Sequence, residues 1–482
     1  MPDRYHIHTV LTPPRFRRIG KFGTVDWRED CSRCSNCVKL RCCYDVYKHE
    51  SAHDRDPIAA IQTLNECKAC LSCVQGCTKG LLNLSVNPEF LEMGDEYWKP
   101  DLILSTWNQS DTGKIPVSGA GYRGRFSGPG FDSIWTDMSE IVRPTRDGIH
   151  GREYISTSVD IGPKPMRLSF AADGKMYTQP SRLLEIQVPL VLDIPAWPIR
   201  QTELAKARAI AAKELKTVAM ISARDAMQLP PDQLQFVVPI FHRDEIKIGG
   251  DLISLAGTMV QLLDCEDVAE MAEAVLAIKP QAIISVRLAL CHGAADRIVG
   301  LSRQGIKVFH LCADLHGREQ LGNGQPGRHI KDALREIHAR LISEGLRDEI
   351  TLTVSGGIAV AEHMAKAIIC GADLVGVDTA LLVALGCRVC SNAHPATLDE
   401  PTGVSASPCP IGVDSADSAY AAQRMINLIG AWHGQLIEVL GAMGIREVRR
   451  VRGEVGRAIF MEDIEKEAFG DLLQVPREQV GA

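Results

Sequence analysis

Short apolar segments alternate with helical segments through the second half of this chain, and this alternation constrains the fold more than any other feature. The strand-like segments are almost continuous apolar runs, and amphipathic helices such as 201–215 and 330–345 fit between most of them. This pattern is typical of a parallel sheet with helices on its faces. Eight such segments in about 200 residues predict an α/β fold with a (β/α)8 TIM barrel, rather than an open doubly wound sheet, since no glycine-rich turn follows the first strand. The segments are QVPLVLD (187–193), TVAMIS (217–222), QFVVPIF (235–241), EIKIG (245–249), AIISVRL (282–288), KVFHLCA (307–313), ITLTVSGG (350–357) and ADLVGVDT (372–379).

Cysteines are concentrated near the N-terminus, where nine of the 16 lie before residue 78. The run 67–77 has the Cys-x2-Cys-x2-Cys-x3-Cys spacing of ferredoxins, and the run 31–43 begins with the same triplet. Soft thiolates at this spacing favour two [4Fe–4S] clusters; the alternative, zinc, uses four ligands and rarely a triplet with a trailing fourth. We therefore predict a ferredoxin-like iron-sulfur domain over residues 1–100.

The repeated triplets also predict which thiolates share a cluster. In two-cluster ferredoxins the fourth cysteine of each run ligates the other cluster. Two adjacent cysteines, Cys42 and Cys43, lie at usable spacing for the fourth position of the first run; we assign Cys42, and Cys43 remains the alternative. The predicted ligands are Cys31, Cys34, Cys37 and Cys77 for cluster I, and Cys67, Cys70, Cys73 and Cys42 for cluster II.

Two glycine-bearing segments occur at the ends of the seventh and eighth predicted strands. TIM barrels often bind phosphate in the loops after these strands, where glycine lets backbone N–H groups approach the anion. We therefore predict a cofactor-phosphate site here, with turn glycines that bind no ligand as the alternative. The predicted cofactor-binding residues are Ser355, Gly356, Gly357, Gly376, Val377 and Thr379.

The segments EIKIG, ISVRL, LTVSGGIAVAEHMAKAIICGADLVGVDTALLVALGC and CPIGV resemble the FMN-binding synthase domain of glutamate synthase. Together with the N-terminal cysteine module, they make the chain similar to archaeal-type glutamate synthase-like proteins. The resemblance implies a barrel that binds FMN. We place this barrel at 186–465, after a linker and lead-in at 101–185 and before a C-terminal tail at 466–482.

In that family an iron-sulfur cluster lies beside the flavin. The resemblance implies a third cluster here, [3Fe–4S] or [4Fe–4S], held by Cys387, Cys390 and Cys409. The insertion SNAHPATLDEPTGVSAS separates the last cysteine from the other two, a gap that a loop can close at modest entropic cost. Three buried thiols without metal are the alternative.

Other positions depart from the family pattern. The strand-five lysine is replaced by Arg287, which the resemblance implies would place positive charge near the flavin. His316, in the loop after the sixth strand, is our candidate proton donor. The loops that would bind 2-oxoglutarate are not recognisable, so we expect 2-oxoglutarate with ammonia to be a poor substrate pair.

These features together predict an iron-sulfur flavoprotein oxidoreductase that passes electrons from the clusters to FMN and on to a small substrate. The alternative is an electron-transfer or scaffold subunit of a larger redox complex, with a non-catalytic barrel. We expect an oligomer, with a ferredoxin or other redox subunits as partners. A separate glutaminase subunit is a further expected partner, since no glutaminase domain is visible in the sequence.

Charge and hydropathy exclude several other classes of function. The formal net charge of −7 argues against nucleic acid as the main partner. The longest apolar stretch, 367–387, contains Asp373 and Asp378, so we predict a buried core segment rather than a membrane span. The first 20 residues lack an apolar segment of signal-peptide length, and we predict a cytoplasmic location.

Overall fold

The computed structural model describes most of the second half of the chain and parts of the first half. Among the helices in the described ranges, none combines the length and apolar character needed to cross a membrane. The described residues are 5–16, 19–27, 34, 36, 40–41, 43, 70–115, 130–136, 154–164, 168–178, 181–195, 202–321, 326–390 and 412–473.

The N-terminal part of the described chain contains one antiparallel strand pair and three helices. Strands β1 (Phe22–Trp27) and β2 (Leu82–Val86) pair along their length and bracket the segment that carries both cysteine runs. Proline begins two of the helices, a position where a missing N–H costs no hydrogen bond. The helices are α1 (Ser72–Gly76), α2 (Pro88–Leu91) and α3 (Pro100–Thr112).

Three short strands precede the barrel: β3 (Ile134–Thr136), β4 (Val159–Ile161) and β5 (Leu184–Ile186). Strands β4 and β5 pair antiparallel. Beside them, the Gly162 N–H donates to Thr351 Oγ1 at 3.2 Å, and the same hydroxyl donates to the Gly162 carbonyl at 2.9 Å. Because Thr351 is the first residue of a barrel strand, these bonds attach the β4–β5 pair to the amino-terminal end of the barrel and leave the opposite end for a site.

Eight parallel strands form a closed barrel, which confirms the predicted TIM-barrel fold. Neighbouring strands follow chain order, and the last strand pairs with the first through Val375 and Leu190 to close the ring. The strands are buried almost throughout, as expected for a barrel filled by its own side chains. They are β6 (Leu190–Leu192), β7 (Ala219–Ser222), β8 (Val237–Phe241), β9 (Met259–Leu263), β10 (Ile283–Ala289), β11 (Val308–Cys312), β12 (Thr351–Ser355) and β13 (Leu374–Val377).

Helices follow the barrel strands in turn. The longest, of 25 residues, packs against the helix after β6, the helix after β12 and helix α3, and so joins the N-terminal region to the barrel. A short strand, β14 (Ala458–Phe460), pairs with β3. The helices are α4 (Thr202–Glu214), α5 (Ala223–Ala226), α6 (Gly250–Leu255), α7 (Val268–Ile278), α8 (Ala294–Arg303), α9 (Ile330–Ser343), α10 (Ala361–Ile369), α11 (Thr379–Ala384), α12 (Ser418–Ala442) and α13 (Met461–Leu473).

The predicted strand EIKIG is wrong, and the fourth barrel strand is β9. Residues 243–245 form a 3-10 turn, in which the Glu245 carboxylate accepts the His242 N–H at 3.0 Å. The segment has two isoleucines, of which one is buried and the other, Ile248, is 73% exposed. In β9 the polar Gln261 interrupts the apolar pattern, and it points into the barrel, where it is fully buried.

Candidate active site at the mouth of the barrel

The carboxyl ends of the barrel strands converge at the mouth, and several predicted site residues lie there. Arg287 is on β10, Ser355 ends β12, and Thr379 begins α11 directly after β13. Active sites of TIM barrels occupy this end. The structure therefore groups the predicted phosphate residues and Arg287 at one end of the barrel.

Arg287 forms a bidentate ion pair that the sequence analysis did not anticipate. Its Nη1 lies 2.8 Å from Asp193 Oδ1 and its Nη2 lies 3.1 Å from Oδ2. Asp193 follows β6 directly and is fully buried. Burial would raise the pKa of Asp193, but Arg287 and His310 lower it to about 2. The pair is thus charged at neutral pH, and much of the Arg287 charge is balanced within the protein.

His310, on β11, connects this ion pair to the seventh strand. The Gln261 amide nitrogen lies 3.1 Å from His310 Nδ1, and the Arg287 Nη1 lies 3.3 Å from the same atom. Two donors facing Nδ1 leave the ring proton on Nε2, which lies 3.0 Å from Ser355 Oγ. Burial lowers the pKa of His310 to about 3, so the ring is neutral and donates to Ser355. Both ring nitrogens therefore make hydrogen bonds within one buried cluster, the Arg287 network, which consists of Asp193, Gln261, Arg287, His310 and Ser355.

Asp193, His310 and Cys312 also form a potential metal triad, because one ligand atom from each lies within 4.8 Å of the others. The Arg287 guanidinium already occupies both oxygens of Asp193. Burial raises the pKa of the Cys312 thiol to about 12, which disfavours the thiolate that a metal needs. The arrangement favours an ion pair with its hydrogen bonds over a cation site.

The two glycine segments serve packing within the mouth. Gly356 and Gly357 have φ of +93° and +67°, and an added Cβ would lie 2.6 Å from the Ala313 carbonyl oxygen or 2.5 Å from the Gly317 nitrogen. An added Cβ at Gly376 would lie 3.1 Å from His310 Nε2. Side chains at these positions would displace the loop after β11 or the buried network.

Asp378 and Thr379 define the start of α11. The Asp378 carboxylate accepts the Thr379 N–H at 2.5 Å and caps the helix. Burial and the nearby Asp193 carboxylate raise the pKa of Asp378 to about 7, so near neutral pH it is partly protonated. Thr379 Oγ1 is buried and has no hydrogen-bond partner within the described residues. A buried hydroxyl without a hydrogen-bond partner among the described residues therefore lies at the predicted phosphate end of the site.

His316 lies at the outer edge of the mouth, in contact with the N-terminal region. Its Nε2 is 2.9 Å from Asp95 Oδ2, and its pKa is raised by this hydrogen bond. Beside it, Tyr97 Oη donates to the Gly357 carbonyl at 2.6 Å, and Trp98 Nε1 donates to the Leu315 carbonyl at 3.0 Å. Within the described residues no hydrogen bond or ion pair joins His316 to the Arg287 network. Its predicted role as a proton donor stays a prediction.

Six of the eleven predicted metal-ligating cysteines lie in the described residues. Cys387 is buried and accepts the Val389 N–H at 3.5 Å, while Cys77 accepts the Leu81 N–H at 3.4 Å. The six described cysteines are Cys34, Cys70, Cys73, Cys77, Cys387 and Cys390; Cys31, Cys37, Cys42, Cys67 and Cys409 lie outside the described residues.

Cys43, which the sequence analysis left as the alternative to Cys42, lies next to a predicted ligand. Its Sγ is 3.7 Å from Cys70 Sγ and 2.9 Å from Ser72 Oγ. Cys43 and Cys70 are both exposed. Residues from the two cysteine runs therefore meet at this point.

The sequence analysis missed Asp193, Gln261 and His310. Each is a polar residue within or directly after an apolar strand segment. A single polar side chain at such a position has no periodic signature, but three of them on strands that meet in a barrel indicate a buried polar cluster. A count of polar residues within each apolar strand segment could have identified this buried polar cluster.

The fold is a TIM barrel with a buried polar network at its mouth. Residues 228–446 match the conserved region in glutamate synthase. This range contains Arg287, His310 and both glycine segments.

Full-length relatives extend the similarity. The chain is 24% identical over 487 residues to an archaeal-type glutamate synthase (NADPH) of Dehalococcoides mccartyi, covering 89% of this chain and 93% of the relative. It is 26% identical over 504 residues to an archaeal glutamate synthase (NADPH) of Methanocaldococcus jannaschii, covering 91% and 95%. The flavin-binding domain of baker's yeast flavocytochrome b2 superposes with a TM-score of 0.44 at 11% identity, over 80% of this chain and 86% of that domain. The barrel assignment rests on the strand pairing and not on this weak superposition.

Proposed function

We propose that the chain is a glutamate synthase-like oxidoreductase that binds FMN at the barrel mouth and receives electrons from N-terminal iron-sulfur clusters. The observation that carries the proposal is the match over residues 228–446, which includes the predicted phosphate segments and Arg287. Relatives that align along nearly their whole length are named glutamate synthases, which supports the same class of chemistry.

The residues at the ends of β12 and β13 fit a phosphate group. The unmatched Thr379 hydroxyl could donate to a phosphate oxygen, and the neighbouring Asp378 carboxyl can do so when it is protonated. Ser355 and Thr379 would hold this end of FMN, which when bound supplies hydride and single-electron chemistry. Arg287 is held in place by Asp193, so the protein fixes its position before any ligand arrives.

The contacts of residues 95–98 support an electron route from the N-terminal region to the mouth. Three hydrogen bonds, from Tyr97 and Trp98 and between Asp95 and His316, join this segment to the loops after β11 and β12. The segment follows β2, which comes directly after the second cysteine run. We propose that the clusters lie close enough to the mouth for electrons to reach a flavin there.

Anaerobic purification with quantification of FMN, iron and sulfide tests the proposal. We expect one FMN per chain and roughly eight irons from the N-terminal clusters, with the flavin bleached by dithionite. Thr379→Val should weaken FMN binding about tenfold through loss of one hydrogen bond, whereas Thr202→Val, exposed at the start of α4, should not. Iron without flavin would favour a non-catalytic electron-transfer subunit, and stoichiometric zinc without sulfide would exclude the clusters.

We further propose Cys43, rather than Cys42, as the fourth ligand from the first cysteine run. The distance of 3.7 Å between Cys43 Sγ and Cys70 Sγ supports this assignment. Cys43→Ala should lower the iron content by about four atoms per chain, the iron of one cluster, while Cys42→Ala should leave it unchanged. The reverse pattern in metal analysis and in the electron paramagnetic resonance of the reduced protein would assign Cys42 instead.

A further inference from the structure

Arg208, in the middle of helix α4, is a buried cation with free donors. Its side chain is 2% exposed, and neither Nε nor Nη2 has a hydrogen-bond partner within the described residues. Burial lowers its pKa to about 10, so the guanidinium remains charged at neutral pH. A buried charged donor without a partner is costly to the folded protein, which indicates that a ligand is missing at this point.

The side chain of Arg208 is directed toward the barrel mouth. The charges that act on it are Asp193, after the first barrel strand, and Asp225, in the helix after the second. Helix α4 begins at the mouth because it follows β6. Side chains on a helix lean toward its N-terminus, so Arg208 is directed toward the carboxyl ends of these two strands.

Neither carboxylate supplies the missing partner. Both oxygens of Asp193 accept from Arg287, at 2.8 and 3.1 Å. Asp225 Oδ2 accepts from Ser222 Oγ at 2.6 Å. The two acids attract the guanidinium from a distance and keep it charged, while its Nε and Nη2 donors stay available.

The two free donors are the ones on a single edge of the guanidinium. Nε–H and Nη2–H point in nearly the same direction, and this edge matches the two oxygens of a carboxylate or a phosphate. A water molecule could accept one of these bonds but would not balance the charge. An oxyanion with two oxygens in one plane would accept from both donors and balance the charge.

We propose that Arg208 forms an oxyanion-binding site beside the first two barrel strands, and that its ligand is a carboxylate group of the substrate. The assignment of this carboxylate to a substrate rests on the proposed oxidoreductase function, whereas the binding of an oxyanion does not. The predicted phosphate residues follow the seventh and eighth strands, and the eighth strand is the neighbour of the first in the barrel.

Isothermal titration of the purified full-length protein with succinate and with inorganic phosphate tests the site. We expect succinate to bind and Arg208→Met to weaken its binding tenfold or more. Lys213→Met, an exposed change on the same helix, should have no effect. Arg208→Lys keeps the charge but loses the paired donors, so it should also bind more weakly.

Three results would overturn the proposal. They are no binding of either anion, equal binding by the original protein and both Arg208 variants, or binding of phosphate without succinate. Titrations run before and after FMN loading separate the two hypotheses. Anion binding in a protein that takes up no FMN would remove the proposed function but keep the site, and FMN uptake without anion binding would do the opposite.

Discussion

Asp193→Ala should lower the free energy of unfolding by about 3–5 kcal/mol, because it leaves the buried Arg287 guanidinium without its carboxylate. The change removes a bidentate pair whose side chains are 9% and 0% exposed. The midpoint of urea unfolding, followed by circular dichroism, measures the loss.

Two matched variants distinguish this effect from a general loss of packing. The double variant Asp193→Ala, Arg287→Met removes both charges and should recover much of the stability, since a buried pair is costly mainly when broken. Asp101→Ala breaks the exposed pair with Lys21 and should cost less than about 1 kcal/mol. Equal losses in the single and double variants would mean that the charge of Arg287 is balanced by other groups.

Asp378→Asn should change the pH dependence of stability. Because the pKa of Asp378 is raised to about 7 from the ordinary aspartate value of 3.8, the folded protein binds more protons than the unfolded chain between these values. Stability contributed by this group is therefore present below about pH 4 and is lost as the pH rises through 7. Asparagine keeps the helix cap without the charge, so the variant should be more stable above pH 7 by about 2–4 kcal/mol.

Thermal unfolding measured between pH 5 and 9 tests this expectation. The stability difference between the two proteins should grow through neutral pH and level off above it. A variant that becomes less stable relative to the original protein as the pH rises would show that the ionised carboxylate stabilises the start of α11. Asp193 affects stability in a different pH range. Its lowered pKa contributes stability that is lost only as the pH falls below about 4.

The barrel could be predicted from the sequence because the spacing of apolar residues and the composition of each strand or helix can be read from a short stretch of neighbouring residues. Seven of the eight strand segments were correctly placed, and Arg287 fell on the fifth strand as expected. The fourth strand was missed because its polar Gln261 points into the barrel and breaks the apolar run. The exposed Ile248 made a neighbouring turn look like a strand instead.

The pairings in the candidate site could not be predicted in this way. Asp193 and Arg287 are 94 positions apart, and His316 meets Asp95 across 221 positions. No pattern in a single sequence reports such contacts. The glycines after β12 were expected to make room for a phosphate, whereas the structure shows that they also make room for the loop after β11.

The hydrogen bonds of residues 95–98 to the mouth have a kinetic consequence. They hold the segment after β2 against the barrel within one chain, so transfer between this segment and the mouth does not depend on encounters in solution. For partners joined by a short connection, the effective concentration is on the order of millimolar. If the N-terminal region carries the proposed clusters, electron delivery from it to the mouth would be first-order, and its rate per chain should stay constant on dilution.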